Sequence, residues 1–265
     1  MLKSAECMLP HEIVRARETS SCAFVPVSPM FEWHSYHLPL GTDGLIAEGI
    51  ARLTAEQVGG IYFRTVSMGM DSSRTQAQLE AWGIDPDAPG EVFGMRFPGL
   101  SVCSEYCRAG EMTAAVENRL EAIRGTRFKF AFLVNNHGGA GQKDLLAEIA
   151  GRWDNPGLRV FSVTTRDFLK PWHDHMKTGG HAGQSETLNL MAFRPELVDM
   201  SQLPEGELSV ARTGILYNKP TIEVRHNPRL VTLSMANEIR RTVIDAFVRF
   251  IEENCKASVA PEDQR

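Results

Sequence analysis

The stretch from residue 21 to 66 leaves this chain few folds to choose from. Residues 21–28 (Ser-Cys-Ala-Phe-Val-Pro-Val-Ser) are apolar enough for a short buried strand. Apolar Leu45, Ile46, Ile50 and Leu53 then recur at helical spacing over residues 43–58. Gly59 and Gly60 stop that helix, and residues 61–66 (Ile-Tyr-Phe-Arg-Thr-Val) read as the next strand. Two strands joined through a helix lie parallel, because only a crossover connection accommodates the helix.

The alternation continues along the chain. Residues 110–124 carry Met112, Val116, Leu120 and Ile123 on one helical face, and residues 128–134 read as a buried strand. A helix over 144–153 and a strand over 159–164 follow. Together these predict an α/β layered fold with a mostly parallel central sheet. Residues 214–224 read as an added strand pair and 235–255 as a long closing helix. With no repeat or linker, a single domain over residues 1–265 is expected. Residues 68–97 break the rhythm, with Asp71, Ser72 and Ser73, a short helix near 76–82, and the turn-forming run Asp85-Pro86-Asp87-Ala88-Pro89-Gly90. Such an excursion faces substrate or contacts another subunit more often than it is idle loop.

Composition narrows the partners. A net charge of −5 with no basic stripe argues against nucleic acid. No apolar run approaches a membrane span, and the first seven residues lack the apolar core of a secretory signal. Five scattered cysteines fit a reducing cytoplasm. Cys103 and Cys107 lack the second pair a soft-metal site needs, and with Ser101 and Val102 strand-like beside them they read as free thiols.

Three clusters carry chemistry. In the first, residues 32–43 (Glu-Trp-His-Ser-Tyr-His-Leu-Pro-Leu-Gly-Thr-Asp), an extended backbone points Glu32 and His34 to one side, and the loop can fold Asp43 back toward them. The segment is either one wall of an oxygen/nitrogen metal site or a loop in which Thr42 or Asp43 caps the following helix. In the second, residues 135–141 (Asn-Asn-His-Gly-Gly-Ala-Gly) follow a buried strand at the carboxyl edge of the sheet, where such folds bind ligands. His137 is its one strong ligand or acid/base group, and the segment lacks both the P-loop Lys-Ser/Thr and dinucleotide glycine spacing. The third, residues 179–187 (Gly-Gly-His-Ala-Gly-Gln-Ser-Glu-Thr), places His181 on a glycine-flanked loop as a general acid or base. Glu186 either serves that site or stabilises the start of the next helix. His173 and His175 read as solvated loop residues, with Trp172 available to wall a pocket.

Taken together, the three segments resemble the creatininase (creatinine amidohydrolase) family. Glu32, His34, His37, Leu38, Pro39 and Asp43 match its Glu-x-His-Gly-x-His-Leu-Pro…Asp motif. Asn135, His137, Gly138 and Gly139 match its histidine–glycine loop, and His181, Ala182, Gly183, Glu186 and Thr187 its third motif. The resemblance implies a three-layer α/β/α fold, a homo-oligomer such as a hexamer, and one or two divalent ions (zinc, manganese or ferrous iron). It further implies that Glu32 and His137 bind one ion, His34 the other, and Asp43 bridges them. Glu186 would complete the second ion's shell or orient its water, His37 would position a ligand, and His181 would shuttle a proton. Trp33, Tyr36, Trp172 and Gln184 would contact substrate.

The departures are specific. Ser35 stands at the motif's glycine, Asn136 and Ala140 flank the histidine loop in place of glycine and asparagine, and Gln184 replaces a frequent glutamate. Creatininase itself has a carboxylate ligand where Gly139 stands. The expected activity is hydrolysis of a non-peptide C–N bond, in a cyclic amide or formamide, with a metal-bridging hydroxide as nucleophile. Peptide trimming or amide formation in a biosynthetic pathway, and a non-catalytic binding or assembly role, are the alternatives.

Overall fold

The structure is a computed structural model and describes residues 2–85, 87, 92–169, 180–216 and 226–255. In chain order its elements are α1 (Pro10–Thr19), β1 (Cys22–Ser28), α2 (Thr42–Val58), β2 (Ile61–Tyr62), β3 (Val66–Ser67), α3 (Gln76–Ala81), α4 (Ala109–Gly125) and β4 (Phe130–Asn135). These are followed by α5 (Gln142–Trp153), β5 (Arg159–Thr164), α6 (Thr165–Phe168), α7 (Gln184–Phe193), α8 (Val210–Thr213) and α9 (Leu233–Cys255). The sheet runs β2-β1-β4-β5, with β3 also against β1. Every one of these pairings is parallel.

Both faces of the central strands are buried, so their residues sort by parity rather than into apolar and polar. Phe24, Phe130, Phe132 and Val134 cluster with Ile46 and Ile50 of α2, Leu188 and Leu190 of α7, and Val243 and Phe247 of α9. Ala23, Val25, Val27, Ala131 and Leu133 cluster with Met112, Val116 and Leu120 of α4 and with Leu146 and Ile149 of α5. Helices therefore cover both faces, giving the three layers. Phe24 and Phe132 stack with ring centres 5.1 Å apart, and Phe247 meets both edge-on. A fully buried aromatic cluster of this kind fixes α9 against the sheet.

The strand expected over residues 61–66 is two short strands, and Pro26 explains the break. Ala23 and Phe24 pair with Ile61 and Tyr62, so an unbroken register would set Pro26 opposite Arg64, where proline has no N–H to offer. The Arg64 and Thr65 amides instead donate to the carboxylates of Glu6 and Glu48. Pairing resumes with Val27 opposite Val66, one residue further along, as in a bulge.

Other expectations are also corrected. Ser101 and Val102 form no strand. The α2 N-cap is Gly41; the Thr42 hydroxyl donates to the Pro39 carbonyl rather than accepting an amide, so neither Thr42 nor Asp43 caps the helix. Of the strand pair expected over 214–224, residues 217–224 lie outside the described residues, and Leu216 makes a single antiparallel bridge with His181. The excursion after β3 contributes Leu79, Trp82, Met95 and Phe97 to a small separate core completed by Trp33 and Val210. No helix among the described residues is long and apolar enough to cross a membrane.

Candidate metal centre

Because β1 and β4 are paired neighbours, the loops leaving their carboxyl ends lie side by side. The Ser28 hydroxyl ties them together, donating to Asn135 Oδ1 at 3.2 Å and accepting the Asn136 amide at 3.1 Å. The loop after β1 carries Glu32 and His34 and bends at Ser35, whose φ of 65° lies in the left-handed region. Asp43 sits in the first turn of α2, His137 follows β4, and His181 and Glu186 flank the start of α7. Glu32, His34, Asp43, His137 and His181 are all buried.

Asp43 Oδ2 is the meeting point. It lies 2.9 Å from His137 Nδ1 and 3.8 Å from His34 Nε2. On one side Glu32 Oε2 is 3.3 Å from His137 Nδ1; on the other, Glu186 Oε2 is 3.6 Å from His34 Nε2. Two ligands held at about 2.1 Å by one tetrahedral ion stand about 3.4 Å apart. Among the described residues three donor groups lie close enough together to hold an ion: Glu32, His34 and His181; Glu32, Asp71 and His137; and His34, Asp43 and Glu186.

The outer nitrogens of both histidines are already committed. His34 Nδ1 donates to the Glu32 carbonyl at 3.0 Å and His137 Nε2 to the Met70 carbonyl at 2.8 Å. Each bond fixes the tautomer and turns the other nitrogen inward. His34 Nε2 and Glu32 Oε2 are buried with no hydrogen-bond partner among the described residues. Buried polar atoms rarely stay unpaired, and a cation between them satisfies both.

The electrostatics agree. Burial opposes ionisation of Glu32, but His137 and then His181 and His34 outweigh it and hold the carboxyl at about 2. Burial likewise opposes charging His34, yet the nearby carboxylates of Asp43, Glu186 and Glu32 raise it to about 9. Against burial, Asp43 is held well below its ordinary value, while His137, facing Glu32 and Asp43, is held well above its own. Burial and the nearby Asp43 charge push Glu186 up. Protons on the imidazoles thus occupy the place where cations would neutralise the acids.

Several contributors are invisible to spacing along the chain. Asn136 Nδ2 donates to Asp43 Oδ1 at 2.7 Å and is itself oriented by the Thr165 hydroxyl. Tyr106 donates to Glu32 Oε1 at 2.7 Å. Asp71, from the excursion, groups with Glu32 and His137 closely enough to hold an ion, while Arg74 binds its carboxylate at 2.7 Å. The run of polar residues at 71–74 was the one sequence signal for it.

The remaining expected residues fall in different places. His37 bonds Thr187 Oγ1 at 2.8 Å, bracing the α7 turn beside Glu186, and burial followed by the His34 charge lowers it to about 4. His181 Nε2 bonds the Trp33 carbonyl, leaving Nδ1 3.8 Å from Glu186 Oε2. Trp33 is packed in the excursion's core with its indole N–H on the Thr213 carbonyl. Tyr36 is exposed and Gln184 buried, and neither lines the cavities beside the cluster. Trp172, His173 and His175 lie outside the described residues. At Gly139 a Cβ would come 2.0 Å from the Met70 carbonyl oxygen, so this chain has no room for a carboxylate there.

A parallel α/β/α sandwich with a buried carboxylate–imidazole cluster at the carboxyl edge of its sheet defines a protein able to bind metal. The chain belongs to the creatininase family: the family described as creatinine amidohydrolase matches residues 7–251. Curated proteins give no match by sequence. Among solved structures, a zinc-zinc form of a creatininase mutant superposes with a TM-score of 0.66 at 17% identity, covering 95% of this chain and 98% of that one. A manganese form of creatininase gives 0.64 at 18% identity over 95% and 98%. A candidate creatinine amidohydrolase from Bacteroides fragilis gives 0.61 at 18% identity over 91% and 92%.

Proposed function

We propose that this protein is a metal-dependent amidohydrolase that cleaves a non-peptide C–N bond in a cyclic amide or formamide. Glu32, Asp43 and His137 would hold one divalent ion, and His34, Asp43 and Glu186 the other. Zinc and manganese, named in the matched creatininase structures, and ferrous iron all suit carboxylate and imidazole donors. Bound there, such ions supply Lewis acidity and a water acidified toward neutral pH.

The chain's own residues do the rest. Asn136 and Tyr106 hold the Asp43 and Glu32 carboxylates in place through their outer oxygens. His181, anchored through Nε2 on the Trp33 carbonyl, presents Nδ1 to the site. From that atom it delivers a proton to the departing nitrogen, a role worth roughly 100- to 10,000-fold in rate. His37 keeps the α7 turn in position through Thr187. The proposed setting is the cytoplasm, from the scattered cysteines, and the proposed assembly a homo-oligomer, by family likeness.

The observation that carries this reading is the pair of buried, unpartnered atoms His34 Nε2 and Glu32 Oε2 facing the shared Asp43 oxygen. Purified protein is expected to carry divalent ions that Asp43→Ala largely removes, as elemental analysis would measure. Metal-loaded protein should turn over at least one member of a panel of cyclic amides, formamides and short peptides. Unchanged metal content in Asp43→Ala, or no turnover across the panel, refutes it.

A further inference from the structure

The pocket beside the carboxylate cluster also carries a positive charge with no acidic partner among the described residues. A cavity of about 170 Å³ opens against His137 and Glu186, and a second, of about 420 Å³, continues past Asp71 and Arg74. Arg166, in the first turn of α6, lines both. Its Nη2 lies over Gly138, 3.7 Å from where a Cβ would stand on that glycine, so the guanidinium reaches across the mouth of the site.

The other charges at this mouth are matched. Arg74 is bound to Asp71 at 2.7 Å, and Lys143 faces Asp167 at 3.4 Å. Asp167 does not answer Arg166; its second oxygen accepts the Thr164 amide. Arg166 is exposed and has no carboxylate or carbonyl partner among the described residues. The smaller cavity is polar on its inner side as well. Asn189 and Thr164 line it, both at least nine-tenths buried, and Asn189 Oδ1 and Thr164 Oγ1 have no hydrogen-bond partner among the described residues. Ser185, in the first turn of α7, lines the same wall, and that helix starts without a side-chain cap. Uncapped first-turn amides favour an anion, adding to what the guanidinium offers.

We propose that Arg166 anchors an oxyanion subsite, and that the substrates are small amides carrying a carboxylate or phosphate beside the scissile C–N bond. A neutral cyclic amide would leave the guanidinium in water. An acidic one gains a charge-assisted, two-pronged hydrogen bond, with Asn189 and Thr164 available to its remaining polar atoms. Cations bound at the cluster would offset Glu32, Asp43 and Glu186, leaving Arg166 as the unmatched charge at the entrance. The inference takes the location of the scissile bond from the amidohydrolase reading and predicts binding independently of turnover.

Calorimetry on metal-loaded protein tests it with matched probes: succinamate against succinamide, and phosphoglycolamide against glycolamide. Each acidic probe is expected to bind at least about tenfold more tightly than its neutral partner. The larger of the two ratios identifies which oxyanion the subsite prefers. In Arg166→Met both ratios should fall toward one with metal content unchanged, and Arg166→Lys should retain part of them. Equal affinity for charged and neutral probes overturns the proposal. So does a preference that survives Arg166→Met, since the anion then sits elsewhere, on the metal ions above all. Failure to hydrolyse any amide, with the charge preference intact, refutes the amidohydrolase reading and leaves the subsite standing.

Discussion

Ser35 shows how much one residue beside the carboxylate–imidazole cluster can cost. Its φ of 65° is one that L-residues adopt only with strain, and its buried hydroxyl has no hydrogen-bond partner among the described residues. The creatininase motif has glycine at this position, and the left-handed bend explains why. Ser35→Gly is therefore expected to stabilise the protein by about 0.5–1 kcal/mol, after allowing for the extra freedom of an unfolded glycine. Thermal unfolding would record a rise of about 2 °C, with metal content unchanged; a lower midpoint would show that the serine is held for a contact of its own. At this scale the members of the buried cluster were readable in advance, because Glu32, His34 and Asp43 share one segment and His137 and Glu186 lie in recognisable loops. Asn136 and Tyr106 were not. They reach Asp43 and Glu32 across 93 and 74 residues of sequence, and nothing but the folded chain brings them there.

The strand-to-loop junctions do the positioning, and the loop after β4 is the least forgiving of them. His137 is locked by its bond to the Met70 carbonyl, and Gly139 passes so close that a Cβ would meet both that oxygen and the imidazole, at 2.0 and 2.1 Å. Gly139→Ala is expected to break this bond and loosen the tautomer that turns Nδ1 toward Glu32 and Asp43. Loss of such an outer bond typically weakens metal binding about 10- to 100-fold. Gly138→Ala serves as the control, since its Cβ would meet only the end of Arg166 at 3.7 Å. Equal metal affinities in the two variants, measured by competition with a chelator, would remove the Met70 contact from the argument. Element positions were legible wherever periodicity is strong, as in α4, β5 and α9. They were less so where a partner strand decides, because the break between β2 and β3 follows from Pro26 on the neighbouring strand rather than from residues 61–66 themselves.

Across the whole molecule, a two-sided core holds the sheet rigid while its carboxyl edge concentrates buried charge. Such a cluster is costly to bury unless something neutralises it. In the protein alone that part falls to protons: His34 is raised to about 9 and His137 well above its ordinary value, so both are charged at neutral pH. A raised histidine contributes stability that is fully present below its unfolded value near 6.5 and is lost as pH climbs through its folded value, about 9 for His34. The metal-free protein should accordingly lose stability over that window. An ion and a proton compete for His34 Nε2 and for His137 Nδ1, so loading metal at pH 7 must expel protons. Titrating zinc or manganese into metal-free protein in two buffers of different ionisation enthalpy should reveal that release, with apparent affinity rising as pH approaches 9. Loading should also raise the thermal midpoint, by an amount that grows with free metal concentration. Metal uptake without proton release would mean that His34 and His137 are already neutral, and that the acids are balanced by some other cation.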